Sequence, residues 1–291
     1  MAERLSTGVG GLDALLGGGL LSGTLTVIVG ASGIGKTQLG LQFANAGLGQ
    51  EGRRGVVFDL TARVDSQSHA DYARRMCGWE LAPFDATEVV GGQFFAAAAP
   101  LGEYLHVFER RGRPVTQREL GFDAWHDWQA ELAGKLQTTI AFFYAHFVRG
   151  VRRAVLDGIE PAARPSESIQ FELVDYVYHQ ILRKDSEWVA RDLFREHYRA
   201  LSSQAAVHAY DAGQVAGLLL VTAHDSMLED LISRPLADGD WLATANTLIY
   251  MGKVMEGRRL GRALYVAKHR GSPASDEIVP FRIGDDGLEV G

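Results

Sequence analysis

The segment GASGIGKT, residues 30–37, constrains this chain more than any other. It follows the β-branched run LTVIV (25–29) and leads into TQLGLQFANAGL, so a strand, a glycine loop and a helix come in that order. The spacing Gly30-x4-Gly35-Lys36-Thr37 has a mechanical reason. Glycines let the backbone wrap until successive N–H groups point inward, and the following helix adds its positive N-terminus. Such a cradle suits the phosphates of a nucleotide, with Gly30, Ala31, Ser32, Gly33, Ile34, Gly35, Lys36 and Thr37 as the expected binding residues. Lys36 would bridge the β- and γ-phosphates as a point charge, and the Thr37 hydroxyl would ligate Mg2+.

Further apolar runs supply the sheet that such a loop needs. GVVFDL (55–60) follows at the spacing of a βαβ crossover, and QFFAAA (93–98), RAVLD (153–157), GLLLVT (217–222), NTLIYM (246–251) and RALYVAKHR (262–270) are further strand candidates. The tail VPFRIGDDGLEV reads as a C-terminal hairpin turning at GDDG. Between these lie helical patterns. In 129–147, Leu132, Leu136, Ile140, Phe143 and Phe147 recur at three- and four-residue steps, and in 171–182 Phe171, Val174, Tyr178 and Ile181 do the same. Strands alternating with helices predict an α/β fold with a mostly parallel central sheet covered on both faces. No repeat or Pro/Ser linker divides the chain, so residues 1–291 read as a single domain with helical insertions at about 100–150 and 160–212.

A carboxylate on the metal side is expected at the C-terminal end of a neighbouring strand, and RRAVLDG supplies Asp157. Composition narrows the rest. The 291 residues are 46% hydrophobic and 22% charged, as in an ordinary globular protein. Cys77 is the one cysteine, which excludes an intrachain disulfide and fits a cytoplasmic setting. No run of eighteen apolar residues predicts a membrane span, and the glycine-rich start lacks the basic region and cleavage site of a signal peptide. A net charge of −7 argues against nucleic acid as partner.

Beyond these patterns, RLSTGVGGLDALLGGGLLSGTLTVIVGASGIGKTQLGLQFA resembles the opening of a KaiC-type ATPase domain of the RecA/RadA superfamily. YARRMCGW (72–79) resembles that family's stretch after the second strand, and RALYVAKHRGSPASDEIVPFRIGDDGLEV its closing strands. The resemblance implies a RecA-like P-loop core, ATP as the nucleotide, and a homo-oligomeric ring, hexameric in such families, with ATP at the subunit boundaries. It also implies that the Lys-x-Arg pair, here Lys268 and Arg270, reaches a neighbour's γ-phosphate. Two residues apart on a strand, both would face one side.

In that family the catalytic base is a glutamate in a Phe-Glu-Glu context; here VVFDLTA places Asp59 first and Leu60 second. Asp59 is the expected base, one methylene shorter than glutamate, with Asp65 as a lesser substitute and slow hydrolysis as the consequence. His224, ending LLLVTAH, stands where the superfamily has a γ-phosphate sensor. The family's clock members carry a Ser-Thr autophosphorylation pair where this chain has Leu242 and Ala243, which argues against an autokinase.

The expected role is a regulatory ATPase that signals to a protein partner. Two alternatives share the fold: a DNA-binding recombinase, and an ATP-dependent scaffold that does not hydrolyse. The loop AHDSMLEDLISRPLADGDW carries five acids against one arginine, the wrong sign for DNA phosphates. The stretch FDAWHDWQAELAGKLQTTIAFFYAHFVRG has aromatics on more than one face, which suits either a docking surface or a helix packed on the sheet.

Overall fold

A computed structural model of the chain describes residues 3–62, 68–86, 94–95, 101–108, 115–116, 119–162, 165–234, 241–271 and 276–291. In chain order the elements are β1 (Arg4–Leu5), α1 (Gly10–Leu15), β2 (Leu20–Leu21), β3 (Leu25–Ala31), α2 (Lys36–Glu51), β4 (Val56–Asp59), α3 (His69–Cys77), β5 (Tyr104–His106) and α4 (Phe122–Phe147). There follow β6 (Arg153–Ile159), α5 (Ile169–Val177), α6 (Ser186–Phe194), α7 (Tyr198–Val207), β7 (Ala216–Ala223), α8 (Leu228–Ser233), α9 (Trp241–Thr244), β8 (Thr247–Glu256), β9 (Arg259–His269), β10 (Ile278–Gly284) and β11 (Gly287–Val290).

Nine strands form one sheet in the order β11-β10-β9-β8-β3-β7-β6-β4-β5. From β8 to β5 all pairings are parallel. The last three strands add antiparallel, ending in the expected hairpin at Asp285–Asp286. The fold is therefore α/β with a mostly parallel central sheet flanked by helices, a RecA-like core. The chain crosses from β3 to β4 through α2, but the two strands are not neighbours, because β7 and β6 lie between them.

Side-chain alternation along each strand sorts the apolar residues onto two faces. Val27, Val29, Phe58, Leu156 and Leu219 enter one core with the helices α4, α5 and α6. Ile28, Val57, Val155, Leu218 and Leu220 enter the other, with α1, α2 and α3. Strands buried on both faces need no polar side, which is why these runs are almost continuously apolar.

The helix expected over 129–147 begins earlier, at Phe122, and its five apolar positions turn inward or lie partly buried as the periodicity predicts. Its last turns go further: every side chain from Thr139 to Phe147 is buried. Phe142 and Phe143 lie on Phe58 of the sheet at 6.2 and 5.1 Å between ring centroids, while Tyr144 meets Phe194 of α6 at 5.9 Å. The extra aromatics of this half belong to a helix enclosed on several sides, and each fully buried ring contributes about 1.5–3 kcal/mol. A docking surface is thereby excluded for 139–147; only the start of the helix projects, with Phe122 74% exposed.

One further expectation changes. Of the strand candidate 93–98, the described residues Phe94 and Phe95 form a helical turn whose rings pack on Tyr144 and Phe194, so aromatic packing overrides β-propensity. The stretch after residue 186 is two helices, broken at Arg195 with φ 48. Among the described residues no helix is long and apolar enough to cross a membrane.

Candidate nucleotide-binding site

The glycine loop leaves β3 at Ala31 and enters α2 at Lys36. Gly35 precedes that helix with φ 117, a left-handed conformation that a side chain would strain. No side chain caps the helix, so its first N–H groups remain directed at the loop. Lys36 folds its ammonium over the turn, donating to the carbonyls of Gly30 and Ala31, both at 2.9 Å. Thr37 Oγ1 donates to Asp157 Oδ2 at 2.6 Å across a cleft of about 370 Å³, a volume suited to a small ligand.

Asp157 reaches this position through an irregularity in β6. Leu156 pairs with Leu219 but Ile159 with Val221, so one extra residue bulges at Asp157–Gly158 and re-aims the carboxylate. Gly158 takes φ 91, and a Cβ there would lie 2.4 Å from Thr61 Oγ1. The expected neighbour of β3 is thus a strand removed from it, and Asp157 sits two residues before the strand end. Burial pushes its pKa up; the hydrogen bond and charge of His69, the Thr37 hydroxyl and the Lys36 charge outweigh that and hold it below the ordinary 3.8.

Asp59 ends β4 and is only 2% exposed. It accepts from the Tyr104 hydroxyl and, at 2.8 Å, from the Thr61 N–H. His69 stands between it and the cleft: Nδ1 lies 3.5 Å from Asp59 Oδ2, and Nε2 lies 3.0 Å from Asp157 Oδ2. The expected base therefore does not form the cleft wall, whereas His69, Thr61 and Glu160 do. Asp65 lies outside the described residues.

His69 is placed by local sequence. Ser68 caps α3 by accepting from the Asp71 N–H, and Asp71 accepts from the Ser68 N–H, a capping box that makes His69 the first helical residue. The helical layer on the other face supplies a second brace. Gln170 of α5, fully buried, donates to the carbonyls of Leu60 (2.7 Å) and Gly158 (2.9 Å) and accepts from the Glu160 N–H (2.8 Å). It ties the ends of β4 and β6 together beneath the two carboxylates. Sequence reading missed both residues. The Ser-x-x-Asp signature at 68–71 could have flagged His69, but nothing local could have flagged Gln170.

The remaining candidates lie elsewhere. His224 follows the last residue of β7 and is exposed; Thr222 of that strand faces the cleft instead. Lys268 is near the end of β9, donating to the Ala243 carbonyl at 2.7 Å; burial first, and then Arg270, lower its pKa. Arg270 lies beyond the strand, in a turn, with its N–H on Asn246 O at 3.0 Å. β9 stops at His269, between the two residues, and its register shifts just before Lys268, opposite Leu248/Ile249. Register also fixes which end of the sheet they occupy. His269 pairs with Thr247, and Thr247 with Thr26, whereas the loop begins at Gly30. At about 3.3 Å per residue the two ends are roughly 13 Å apart.

Residues 5–91 match the family model described as "ATPase: KaiC". The family is one of RecA-like P-loop ATPases, and it is this segment, less than half of the chain, that is similar to it. It takes in the phosphate loop, Asp59 and His69, and stops before Asp157, Lys268 and Arg270. No curated protein matches the chain. P-loop ATPases generally use ATP with Mg2+. The donors here fit such a metal: a hydroxyl and an ionised carboxylate, both hard oxygens, converge at 2.6 Å. Among the described residues no group of three or more His, Cys, Asp or Glu could hold a metal ion.

Proposed function

We propose that the chain is a single-domain, ATP-binding and slowly ATP-hydrolysing regulatory protein that assembles into a ring, with ATP at the subunit boundaries, and signals to a protein partner. The observation that carries this is the convergence of Lys36, Thr37 and Asp157 on one cleft. Lys36 supplies positive charge to the β- and γ-phosphates, and the first N–H groups of α2 hold the inner phosphates. Thr37 and Asp157 hold Mg2+, which when bound neutralises phosphate charge and aligns the reacting group.

Two features favour slow turnover. Leu60, fully buried, stands where a second carboxylate would be, and Asp59 reaches a reacting water only by way of His69. The shared-site reading draws on the sheet register. Lys268 and Arg270 lie at the end of their sheet opposite the loop, so a phosphate contact from them goes to a nucleotide bound by another copy. The acidic loop after β7 and the net charge of −7 favour a protein partner over DNA, and the lone Cys77 suits the cytoplasm.

The test is light scattering on the eluting protein without nucleotide, with ATP·Mg and with a non-hydrolysable analogue, alongside phosphate release, for wild type and Arg270→Ala. ATP-driven assembly, with turnover lost but binding kept in Arg270→Ala, supports the ring. A monomer in every nucleotide state removes the shared site, and assembly without phosphate release leaves the scaffold reading.

A further inference from the structure

The histidine expected to sense the γ-phosphate, His224, is exposed beyond β7, while a different histidine occupies the cleft. His69 is 12% exposed and shares one oxygen, Asp157 Oδ2, with the Thr37 hydroxyl: Nε2 at 3.0 Å and Oγ1 at 2.6 Å. Thr37 is the second residue of the helix that follows the phosphate loop, so this oxygen lies beside the loop, in the same cleft as Ser32, Gly33, Gly35 and Lys36. An imidazole nitrogen facing a carboxylate oxygen at hydrogen-bond distance carries its proton, so Nε2 is a donor already directed at an anionic oxygen.

The ring is held from behind. Asp59 faces Nδ1 at 3.5 Å, and the Tyr104 ring lies 5.5 Å from the imidazole between centroids. Asp59 is itself fixed by the Tyr104 hydroxyl and the Thr61 N–H, and the capping box at Ser68–Asp71 fixes the backbone of His69. A donor oriented on three sides, in the cleft beside the phosphate loop, is suited to contact one end of a bound phosphate chain.

We propose that His69 is the γ-phosphate contact of this site, donating from Nε2 to a terminal phosphate oxygen, and that Asp59 is a positioning residue acting through it. The inference rests on the nucleotide-binding reading above and deepens it. It assigns the distinction between triphosphate and diphosphate to the start of α3, within the same chain, separately from any contact made by Lys268 or Arg270 of another copy.

Calorimetric titration of the full chain with ADP·Mg and with a non-hydrolysable ATP analogue tests it, because neither involves turnover. A charge-assisted hydrogen bond corresponds to a change on the order of 10- to 100-fold in affinity. His69→Ala is expected to lose that much for the ATP analogue while ADP affinity stays within about 2-fold, and His224→Ala is expected to change neither. His69→Gln, which keeps a donor near Nε2, is expected to restore part of the selectivity and to keep a wild-type melting temperature should the alanine variant fold poorly. Asp59→Asn should lower selectivity in wild type and add nothing in the His69→Ala background. Equal loss for both nucleotides, no loss for either, or a selective loss in His224→Ala overturns the proposal. Wild type that binds neither nucleotide overturns the nucleotide-binding reading itself, and this inference with it.

Discussion

The two faces of the sheet reach the same cleft by different means. On one face, α1, α2 and α3 lie within or beside the segment that matches the KaiC model, and they bring to the site a backbone loop, a helix N-terminus and His69. On the other, α4, α5 and α6 lie outside that segment and bring no side chain that lines the cleft. Yet Gln170 of that layer holds the ends of β4 and β6, on which Asp59 and Asp157 stand. Chemistry can thus be local to one face while its precision depends on the other. A half-ångström error in the carboxylates costs a site as surely as losing one of them.

The largest expected effect tests the second face. Gln170→Ala leaves two buried carbonyls and one N–H without their partner and should destabilise the protein by about 4 kcal/mol. Urea unfolding measures that loss, and phosphate release at a temperature where the variant is folded should fall more than nucleotide affinity does. If affinity falls first, Gln170 braces the loop rather than the carboxylates, and the contrast between the faces is lost.

On the first face, Lys36→Ala should weaken ATP binding on the order of 100-fold, and because it also takes the donor from the Gly30 and Ala31 carbonyls, the melting temperature of the nucleotide-free protein should fall as well. The Asp157 carboxylate links the faces, and acid should expose it. Its folded pKa lies below the ordinary 3.8, so its stabilising contribution is complete above that pH and is lost as pH falls through the lower, folded value. Urea melts from about pH 5 to pH 3 should show wild-type stability dropping more steeply than that of Asp157→Asn. The opposite ranking would mean that burial outweighs the Thr37 and His69 contacts.

Smaller effects refine the comparison. Ser68→Ala removes the cap of α3 and should cost about 1 kcal/mol, together with part of the selectivity assigned to His69. Phe122→Ser, at the projecting start of α4, should change stability by less than about 0.5 kcal/mol. A larger loss would show that this ring is covered in solution.

How much of this was legible in sequence depends on distance along the chain. The phosphate loop could be read from eight consecutive residues because backbone wrapping and helix start are local. Asp157 was legible as an acid on an apolar run, but the bulge that aims it arises from pairing with β7, more than fifty residues on. Lys268 and Arg270 were legible as a pair; that they lie at the far end of the sheet was not, since an antiparallel turn-back of β9 decides it.

By itself, the sequence determined the strands, through apolar runs buried on both sides, and the cradle for an anion, through glycine spacing and the helix that follows. Only the tertiary structure decided which acid faces the cleft and which hides behind a histidine. Asp59 and Asp157 look alike as strand-end aspartates, and in the fold they sit directly across from each other on paired strands, β4 and β6. What separates them is the ring of His69 and the bulge at Gly158, and both depend on contacts between segments far apart in the chain.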